Sequence, residues 1–224
     1  MGRLKRTFAR IRLDRPGVRV VAMPLPLYWL SYCPRVRRFA KDPVRPGDIV
    51  FLGDSITAWA KWSELLPDLP VRNFGIPGDT SAGILARLHQ VTSGSPAKVF
   101  LLIGTNDLHF GKLSEDEVAA NVARIVERLR TESPTTEIYV QSVMPRRLSR
   151  AEQVKRLNGK LEAATVAGDA TWIDLWPILD DDRGCLRREY TWDGLHLRLA
   201  ANRAWANHLH AFIRVVPNKA HQAS

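Results

Sequence analysis

Short apolar runs that alternate with segments of helical spacing constrain the fold more than any other feature of the sequence. Five such runs occur, at residues 48–52, 71–74, 98–103, 137–143 and 171–173. Within most of them apolar residues follow one another instead of alternating with polar ones, as is typical of strands buried on both faces. Because helical segments separate these strands, the sequence predicts a parallel sheet covered by helices on both sides.

Helical periodicity fills the segments between and after the runs. Helices are predicted at residues 56–66, 80–90, 150–167 and 197–215, and a longer one begins at Ser114. Glu117 follows Ser114 by three residues, which is the pattern of a capping box. A chain of 224 residues with 45% hydrophobic and 25% charged residues suits one globular domain of this kind.

Chemically suggestive side chains follow the predicted strands at the point where each strand ends. Ser55 follows the first strand, Gly78 the second and Asn106 the third, while Asp193 and His196 lie in the loop before the last helix. In open parallel sheets the binding site lies beyond the carboxyl ends of the strands, so we expect these residues to meet. A serine hydroxyl needs a base, and a histidine oriented by an aspartate can provide it.

Each of these residues also has an ordinary structural explanation. A serine that opens a helix often caps it, and the Asp-Gly-Leu-His segment can be an Asx turn before a helix. Asn106 suits a turn at a strand end, and Gly78 suits a backbone with positive φ. Thr57 stands where a nucleophile elbow has its second glycine, which argues against an ordinary α/β-hydrolase. The joint order of the residues favours catalysis, whereas no single one does.

Four blocks of sequence carry these residues, and together they resemble the SGNH hydrolase (GDSL-like lipase and esterase) superfamily. They read FLGDSIT from Phe51, NFGIPGDT from Asn73, IGTND from Ile103 and DGLH from Asp193. The second and fourth blocks are similar to those of the branch around platelet-activating-factor acetylhydrolase catalytic subunits and bacterial acetylesterases. The resemblance implies a flavodoxin-like three-layer α/β/α sandwich with a mostly parallel five-stranded sheet.

The resemblance also implies a role for each residue. It implies that Ser55 is the nucleophile, with Asp193 and His196 as its orienting acid and base. It also implies an oxyanion hole made of the backbone N–H groups of Ser55 and Gly78 and the side chain of Asn106. It implies acyl-enzyme chemistry on small-molecule esters without a cofactor or a metal. We expect a serine esterase for short acyl groups, in particular acetyl groups on a sugar or lipid. Open alternatives are a lysophospholipase or thioesterase for longer chains and a non-catalytic binding module.

Further polar and aromatic residues lie close to these blocks. His109 and Trp192 are candidates for lining the substrate pocket, although a loop histidine is often only solvated and a loop tryptophan often packs the loop. Arg146 and Arg147 follow a strand and either meet an acidic group of the substrate or are exposed to solvent. The three aspartates 180–182 fit a solvated turn better than a metal site.

The positive charge of the chain is concentrated in its first 45 residues. The chain has 33 Lys or Arg, 23 Asp or Glu and a formal net charge of +10. Residues 1–45 contain 12 of the basic residues and 2 of the acidic ones, so they hold the whole excess. We therefore predict a basic N-terminal arm, 1–45, with a candidate lead-in helix around residues 29–41, followed by a hydrolase domain, 46–224.

Such an arm can bind an anionic membrane surface or can simply be solvated. Its apolar contacts with a membrane would come from Leu27, Tyr28, Trp29 and Leu30. No nucleic-acid partner is expected, and the sequence does not indicate an oligomeric state. The apolar stretch 20–33 contains two prolines and lacks a small-residue cleavage site. We therefore expect a cytoplasmic protein, with peripheral membrane contact and export as open alternatives.

Overall fold

A five-stranded parallel sheet lies at the centre of the computed structural model, which describes residue 30, residues 32–111 and 113–213, and the backbone of residues 8–9 and 23–24. Two short strands, β1 (Phe8–Ala9) and β2 (Met23–Pro24), pair antiparallel with each other. The strands of the large sheet are β3 (Ile49–Gly53), β4 (Val71–Gly75), β5 (Lys98–Leu102), β6 (Glu137–Gln141) and β7 (Thr171–Ile173). Their order is β4-β3-β5-β6-β7, and every neighbouring pair is parallel.

Helices cover both faces of this sheet. The longer helices are α1 (Cys33–Lys41), α4 (Ser81–Arg87), α6 (Glu115–Glu132), α7 (Ala151–Ala167) and α9 (Leu199–Ile213). The shorter helices are α2 (Ser55–Trp59), α3 (Trp62–Leu65), α5 (His89–Thr92) and α8 (Trp176–Leu179). Single helical turns cover Asp107–Gly111, Leu148–Arg150 and Arg188–Tyr190. The strand order is that of a flavodoxin-like sheet, so the predicted three-layer α/β/α fold is confirmed.

Each face of the sheet buries its own hydrophobic cluster, because successive side chains of a strand point to opposite faces. Val50 and Leu52 of β3 join the cluster that contains the apolar faces of α4, α6 and α7. Phe51 joins the cluster that contains α3 and α9. There its ring stacks between those of Trp62 and Phe100, with ring centroids 3.6 and 5.2 Å away. This packing fixes β3, the strand that leads into Ser55, from both sides.

The predicted continuous helix over 56–66 is wrong, since the segment forms two short helices, α2 and α3. Ala60 between them is extended, with φ −68° and ψ 127°. The carbonyl of Thr57 accepts hydrogen bonds from Trp62 Nε1 and Asn73 Nδ2. Asn73 Nδ2 also donates to the carbonyls of Ala58 and Ala60. These partners replace intrahelical bonds, so the helix ends where tertiary contacts take over.

Other boundaries differ less from the prediction. The segment predicted as one helix over 80–90 is divided into α4 and α5, and the strand predicted over 137–143 ends at Gln141. That strand stops because the backbone N–H and carbonyl of Val143 bond to the side chain of Asn158 instead of to a neighbouring strand. The capping box at Ser114 and Glu117 is present at the start of α6, as predicted.

Helix α1 packs its inner face onto the end of the sheet. Tyr32, Phe39 and Val44 are buried in the core, and the Phe39 ring stacks on that of Phe74 at 4.2 Å. The division between an arm, 1–45, and a domain, 46–224, stays a prediction. Leu30 is 79% exposed, while Leu27, Tyr28 and Trp29 and most of the predicted arm lie outside the described residues. No helix among the described residues is long and apolar enough to span a membrane.

Candidate active site

Ser55 is the first residue of α2 and lies two residues after Gly53, the carboxyl-terminal residue of β3. Asp54 caps this helix, because its Oδ1 accepts a hydrogen bond from the backbone N–H of Ile56 at 2.9 Å. The first N–H groups of a helix have no intrahelical partner, so the N–H of Ser55 is available to a ligand. Ser55 thus does not need its own hydroxyl to cap the helix, which leaves Oγ available for another role.

The side chains of Ser55, His196 and Asp193 form a continuous chain of contacts. Ser55 Oγ lies 3.3 Å from His196 Nε2. On the other side of the ring, His196 Nδ1 lies 2.6 Å from Asp193 Oδ2. A carboxylate on Nδ1 places the proton there and leaves Nε2 as the acceptor that faces the hydroxyl. The three residues that the sequence groups as nucleophile, base and orienting acid are therefore brought together.

A tight loop folds Asp193 back onto His196. Asp193 Oδ1 accepts the backbone N–H groups of Leu195 and His196 at 2.9 and 2.8 Å. Gly194 between them has φ +75°, a left-handed conformation that favours glycine. A Cβ at Gly194 would also lie only 2.7 Å from Cγ of Arg147. The Asp-Gly-Leu-His spacing thus has a local cause, since one carboxylate oxygen organises the turn and the other holds the ring.

The hydrogen bonds of this loop keep Asp193 ionised. Partial burial raises the pKa of the Asp193 carboxyl, but the backbone N–H and the ring of His196 and the N–H of Leu195 lower it more, so the pKa lies well below its usual range. The carboxylate therefore stays negative through the acidic range, where it can stabilise a positively charged imidazole.

The predicted oxyanion donors Gly78 and Asn106 lie on linked loops. Asn106 is buried and donates one Nδ2 hydrogen to the backbone carbonyl of Asp79 at 2.9 Å. An amide nitrogen carries two hydrogens, so one remains for a substrate. Gly78, directly before Asp79, has φ +80°, which turns the backbone at that point in a way few other residues tolerate.

Arg87 connects these loops to the nucleophile. Its guanidinium is 2% exposed, and Nε lies 2.8 Å from Asp79 Oδ2. Nη2 donates to the carbonyls of Gly53 and Phe74 at 3.2 and 2.8 Å. One buried cation therefore holds the end of β3, the end of β4 and the residue that follows Gly78.

A second buried carboxylate supports the loop of Asn106. Asp107 accepts hydrogen bonds from the backbone N–H of Ser81 at 3.0 Å and from Ser81 Oγ at 2.5 Å. Burial raises the pKa of Asp107 to about 6, although the hydrogen bonds from Ser81 oppose the shift. Burial also raises the pKa of Asp54 to about 7, and the neighbouring charges of Asp79 and Asp107 add to it.

Sequence reasoning gave no role to Arg87, Asp107 or Trp59. A signal for Arg87 exists in the sequence, because it lies three residues after Ile84 on the apolar face of α4 and so must be buried with a partner. The ring of Trp59 lies 4.2 Å from that of His196 and is 54% exposed. It therefore forms a wall of the site beside the base.

The two candidates for lining the pocket are both exposed. Trp192 is 78% exposed, and the guanidinium of Arg198 lies over its ring at 4.4 Å. His109 lies in the helical turn Asp107–Gly111 and is exposed. Their contact with a substrate stays a prediction. Among the described residues no group of three or more His, Cys, Asp or Glu is arranged to hold a metal ion. In the aspartate run 180–182, the first two side chains accept backbone N–H groups of their own turn.

A family model of known proteins matches most of the chain. The GDSL-like lipase/acylhydrolase family model matches residues 51–204, which include Ser55, Gly78, Asn106, Asp193 and His196. The chain belongs to the GDSL-like lipase/acylhydrolase family. The predicted SGNH hydrolase superfamily is thereby confirmed, and the predicted class of enzyme, a hydrolase that acts on esters, is that of the family.

The curated relatives that resemble the chain include platelet-activating factor acetylhydrolase subunits. Platelet-activating factor acetylhydrolase IB subunit alpha2 of Rattus norvegicus is 32% identical over 124 residues, which are 53% of this chain and 52% of that protein. In this match the chain spans about half the length of the relative. The subunit alpha2 of Gallus gallus is 28% identical over 197 residues, 83% of each chain.

Solved structures share the fold. A structure from Streptococcus pneumonia, described as a platelet activating factor, has a TM-score of 0.72 and 27% identity, and the match covers 81% of this chain and 90% of that one. The acetylxylan esterase Axe2 of Geobacillus stearothermophilus has a TM-score of 0.60 and 19% identity over 74% of this chain and 93% of that one. At this identity the second likeness concerns the fold alone.

The buried carboxyl of Asp54 predicts a pH-dependent stability. Its pKa is about 7 in the folded chain and about 4 in an unfolded chain. A group that binds its proton more tightly when folded stabilises the fold at low pH, and this contribution is lost as the pH rises through about 7. Asn at this position can still accept the N–H of Ile56. We therefore compare the difference in free energy of unfolding, Asp54→Asn minus wild type, at two pH values. This difference should increase by on the order of 1 to 3 kcal/mol between pH 4.5 and pH 8.

Urea unfolding of both proteins at the two pH values measures this difference. Asp174→Asn serves as the control, since Asp174 is an exposed aspartate whose Oδ1 also accepts a backbone N–H at the start of a helix, that of Trp176. A difference between wild type and Asp54→Asn that is the same at both pH values would contradict the prediction.

Proposed function

We propose that the protein is a serine esterase that hydrolyses short acyl esters, in particular acetyl esters of a sugar or lipid, through an acyl-enzyme intermediate. The observation that carries the proposal is the contact series from Asp193 Oδ2 to His196 Nδ1 at 2.6 Å and from His196 Nε2 to Ser55 Oγ at 3.3 Å. Such a series lets a base remove the hydroxyl proton while the developing positive charge is stabilised.

The reaction begins when Ser55 Oγ attacks the acyl carbonyl carbon and its proton moves to His196 Nε2. The tetrahedral intermediate collapses, the carbon–oxygen bond to the alcohol breaks, and Nε2 returns the proton to the leaving oxygen. A water molecule then attacks the acyl-enzyme, its proton moves to Nε2, and the carboxylic acid is released as the proton returns to Ser55 Oγ. Asp193 stays ionised throughout and stabilises the imidazolium.

The carbonyl oxygen becomes negative during both attacks, and the proposal assigns three donors to it. These are the N–H of Ser55, the N–H of Gly78 and the second Nδ2 hydrogen of Asn106. Donors that are already oriented before the reaction stabilise the transition state more than solvent water does, and one such donor typically contributes about 3 to 4 kcal/mol. The bond from Asn106 to Asp79 supports this assignment because it fixes the amide plane.

The preference for acetyl groups is supported by the names of the relatives. The platelet-activating factor acetylhydrolase subunits that the chain resembles are named for the acetyl group. The rings of Trp59 and, at the loop tip, Trp192 offer flat apolar surfaces to a sugar or an alkyl chain.

A series of p-nitrophenyl esters tests both the nucleophile and the acyl length. We expect hydrolysis of the acetate, a value of kcat/KM that falls at least about tenfold from acetate to octanoate, and a kcat for Ser55→Ala lower by about a thousandfold or more. Ser93→Ala, an exposed serine at the opposite edge of the sheet, should keep wild-type activity. Undiminished activity of Ser55→Ala would rule out the mechanism, and an octanoate rate equal to or above that of acetate would favour a lysophospholipase or thioesterase.

We also infer that the basic residues of the arm bring the enzyme to anionic membrane surfaces, because residues 1–45 hold the whole charge excess of the chain. Removal of residues 1–29 leaves the buried Tyr32 and Phe39 in place. This truncated chain lacks seven of the twelve basic residues of the arm, so it should sediment much less than the full chain with vesicles of phosphatidylserine and phosphatidylcholine at low salt. Equal sedimentation of the two chains would contradict the inference, and hydrolysis of p-nitrophenyl acetate checks that the truncated enzyme is folded.

A further inference from the structure

Two adjacent arginines lie between the two loops of the candidate active site. Arg146 and Arg147 follow the carboxyl end of β6, the same edge of the sheet that carries Ser55. Arg146 Nη1 donates to the carbonyl of Thr105 at 3.3 Å, next to the oxyanion donor Asn106. Arg147 Nε donates to the carbonyl of Asp193 at 3.0 Å. The pair therefore borders the loop of the base on one side and the loop of the oxyanion donor on the other.

The charges of these guanidinium groups are not neutralised by contact. No carboxylate oxygen among the described residues lies within 4.0 Å of either group. Outside the described residues the sequence contains a single acidic side chain, Asp14. Buried Arg87 by contrast has its carboxylate at 2.8 Å. Arg146 and Arg147 thus keep most of their N–H donors for a partner that the described chain does not supply.

Further positive charge surrounds the same edge. Burial lowers the pKa of Arg146, and the nearby charges of Arg150 and Arg147 lower it further, although Asp54 and Asp193 oppose them. Arg198, two residues after His196, lies over the ring of Trp192 at 4.4 Å. Several cations that repel one another at a site mouth are stabilised when an anion binds among them.

The position of the arginines indicates which part of a substrate they meet. The leaving oxygen must receive its proton from His196 Nε2, so the alcohol lies against the loop that carries His196. Arg147 is bound to that loop through the carbonyl of Asp193. A group a few ångströms along the alcohol therefore comes within reach of the guanidinium groups, whose planar donor pairs suit carboxylate and phosphate oxygens.

We propose that Arg146 and Arg147 form an anion-binding subsite for the leaving group, and that the substrate is an ester whose alcohol carries a phosphate or carboxylate group. This inference rests on the proposed esterase activity and specifies its substrate class. Phosphate would indicate a phospholipid or sugar phosphate, and carboxylate would indicate an acidic sugar or a similar acid.

Three aryl acetates with related leaving groups test the subsite. They are methyl 4-acetoxybenzoate, which is neutral, 4-acetoxybenzoate, which carries a carboxylate, and 4-acetoxyphenyl phosphate. We expect Arg147→Met and Arg146→Met each to lower kcat/KM for at least one anionic ester by about tenfold relative to the neutral ester. The ester that loses most identifies the source of the anion. Arg147→Lys should keep part of the preference, because it keeps the charge and loses the planar donor pair.

Arg130→Met is the matched control, since it removes one positive charge near the opposite edge of the sheet, where Arg130 pairs with Asp169. It should leave the ratio of anionic to neutral rates unchanged. If Arg146→Met and Arg147→Met lower the rates of all three esters equally, the arginines only position the loops and the subsite is wrong. If wild type hydrolyses none of the esters and not p-nitrophenyl acetate either, the proposed function itself fails. Hydrolysis of the neutral ester without any anionic preference overturns the subsite alone.

Discussion

The ion pair between Arg87 and Asp79 is the interaction on which the arrangement of the site depends. Both side chains are almost completely buried, with exposed fractions of 2% and 1%. Breaking such a pair by removing one partner typically costs about 3 to 5 kcal/mol, because the remaining charge is left without a partner in the core. The other N–H groups of a buried guanidinium also need acceptors, and Nη2 of Arg87 donates to the carbonyls of Gly53 and Phe74. The carboxyl ends of β3 and β4 are fixed as a result.

This ion pair positions the three groups that are proposed to stabilise the oxyanion. Ser55 comes two residues after Gly53, Gly78 directly precedes Asp79, and Asn106 donates to the Asp79 carbonyl. All three proposed oxyanion donors are therefore attached to groups that one cation holds. Stabilisation by oriented donors requires that they do not move when charge develops, and a buried ion pair meets that requirement better than a solvated loop. The base is held separately, by the turn from Asp193 to His196, and it reaches the nucleophile through the contact of His196 Nε2 with Ser55 Oγ.

Local sequence patterns predicted most of the helices and strands and the meeting of Ser55, Asp193 and His196 at one edge of the sheet. They failed where contacts between residues distant in the sequence determine the structure. Ser55, Asn106 and His196 could be placed because each lies at a strand end or just before a helix, and the edge of a parallel sheet brings such positions together. The break at Ala60 could not be predicted, because it depends on the side chains of Asn73 and Trp62 that bind nearby carbonyls. The place of Arg87 on the apolar face of α4 indicates burial, but nothing in the local pattern identifies its partners, which are Asp79 and the carbonyls at the ends of two strands.

Trapping of the acyl-enzyme tests the central claim, that Ser55 is the nucleophile, most directly. Wild-type enzyme is mixed with p-nitrophenyl acetate, quenched in acid during turnover and digested, and the peptides are examined by mass spectrometry. The account predicts one acetyl group per chain, on Ser55, together with an initial burst of p-nitrophenolate if deacylation is the slower step. Two results would contradict it. One is an acetyl group on a residue other than Ser55, and the other is an unmodified Ser55 in active enzyme that is trapped under conditions that give a burst.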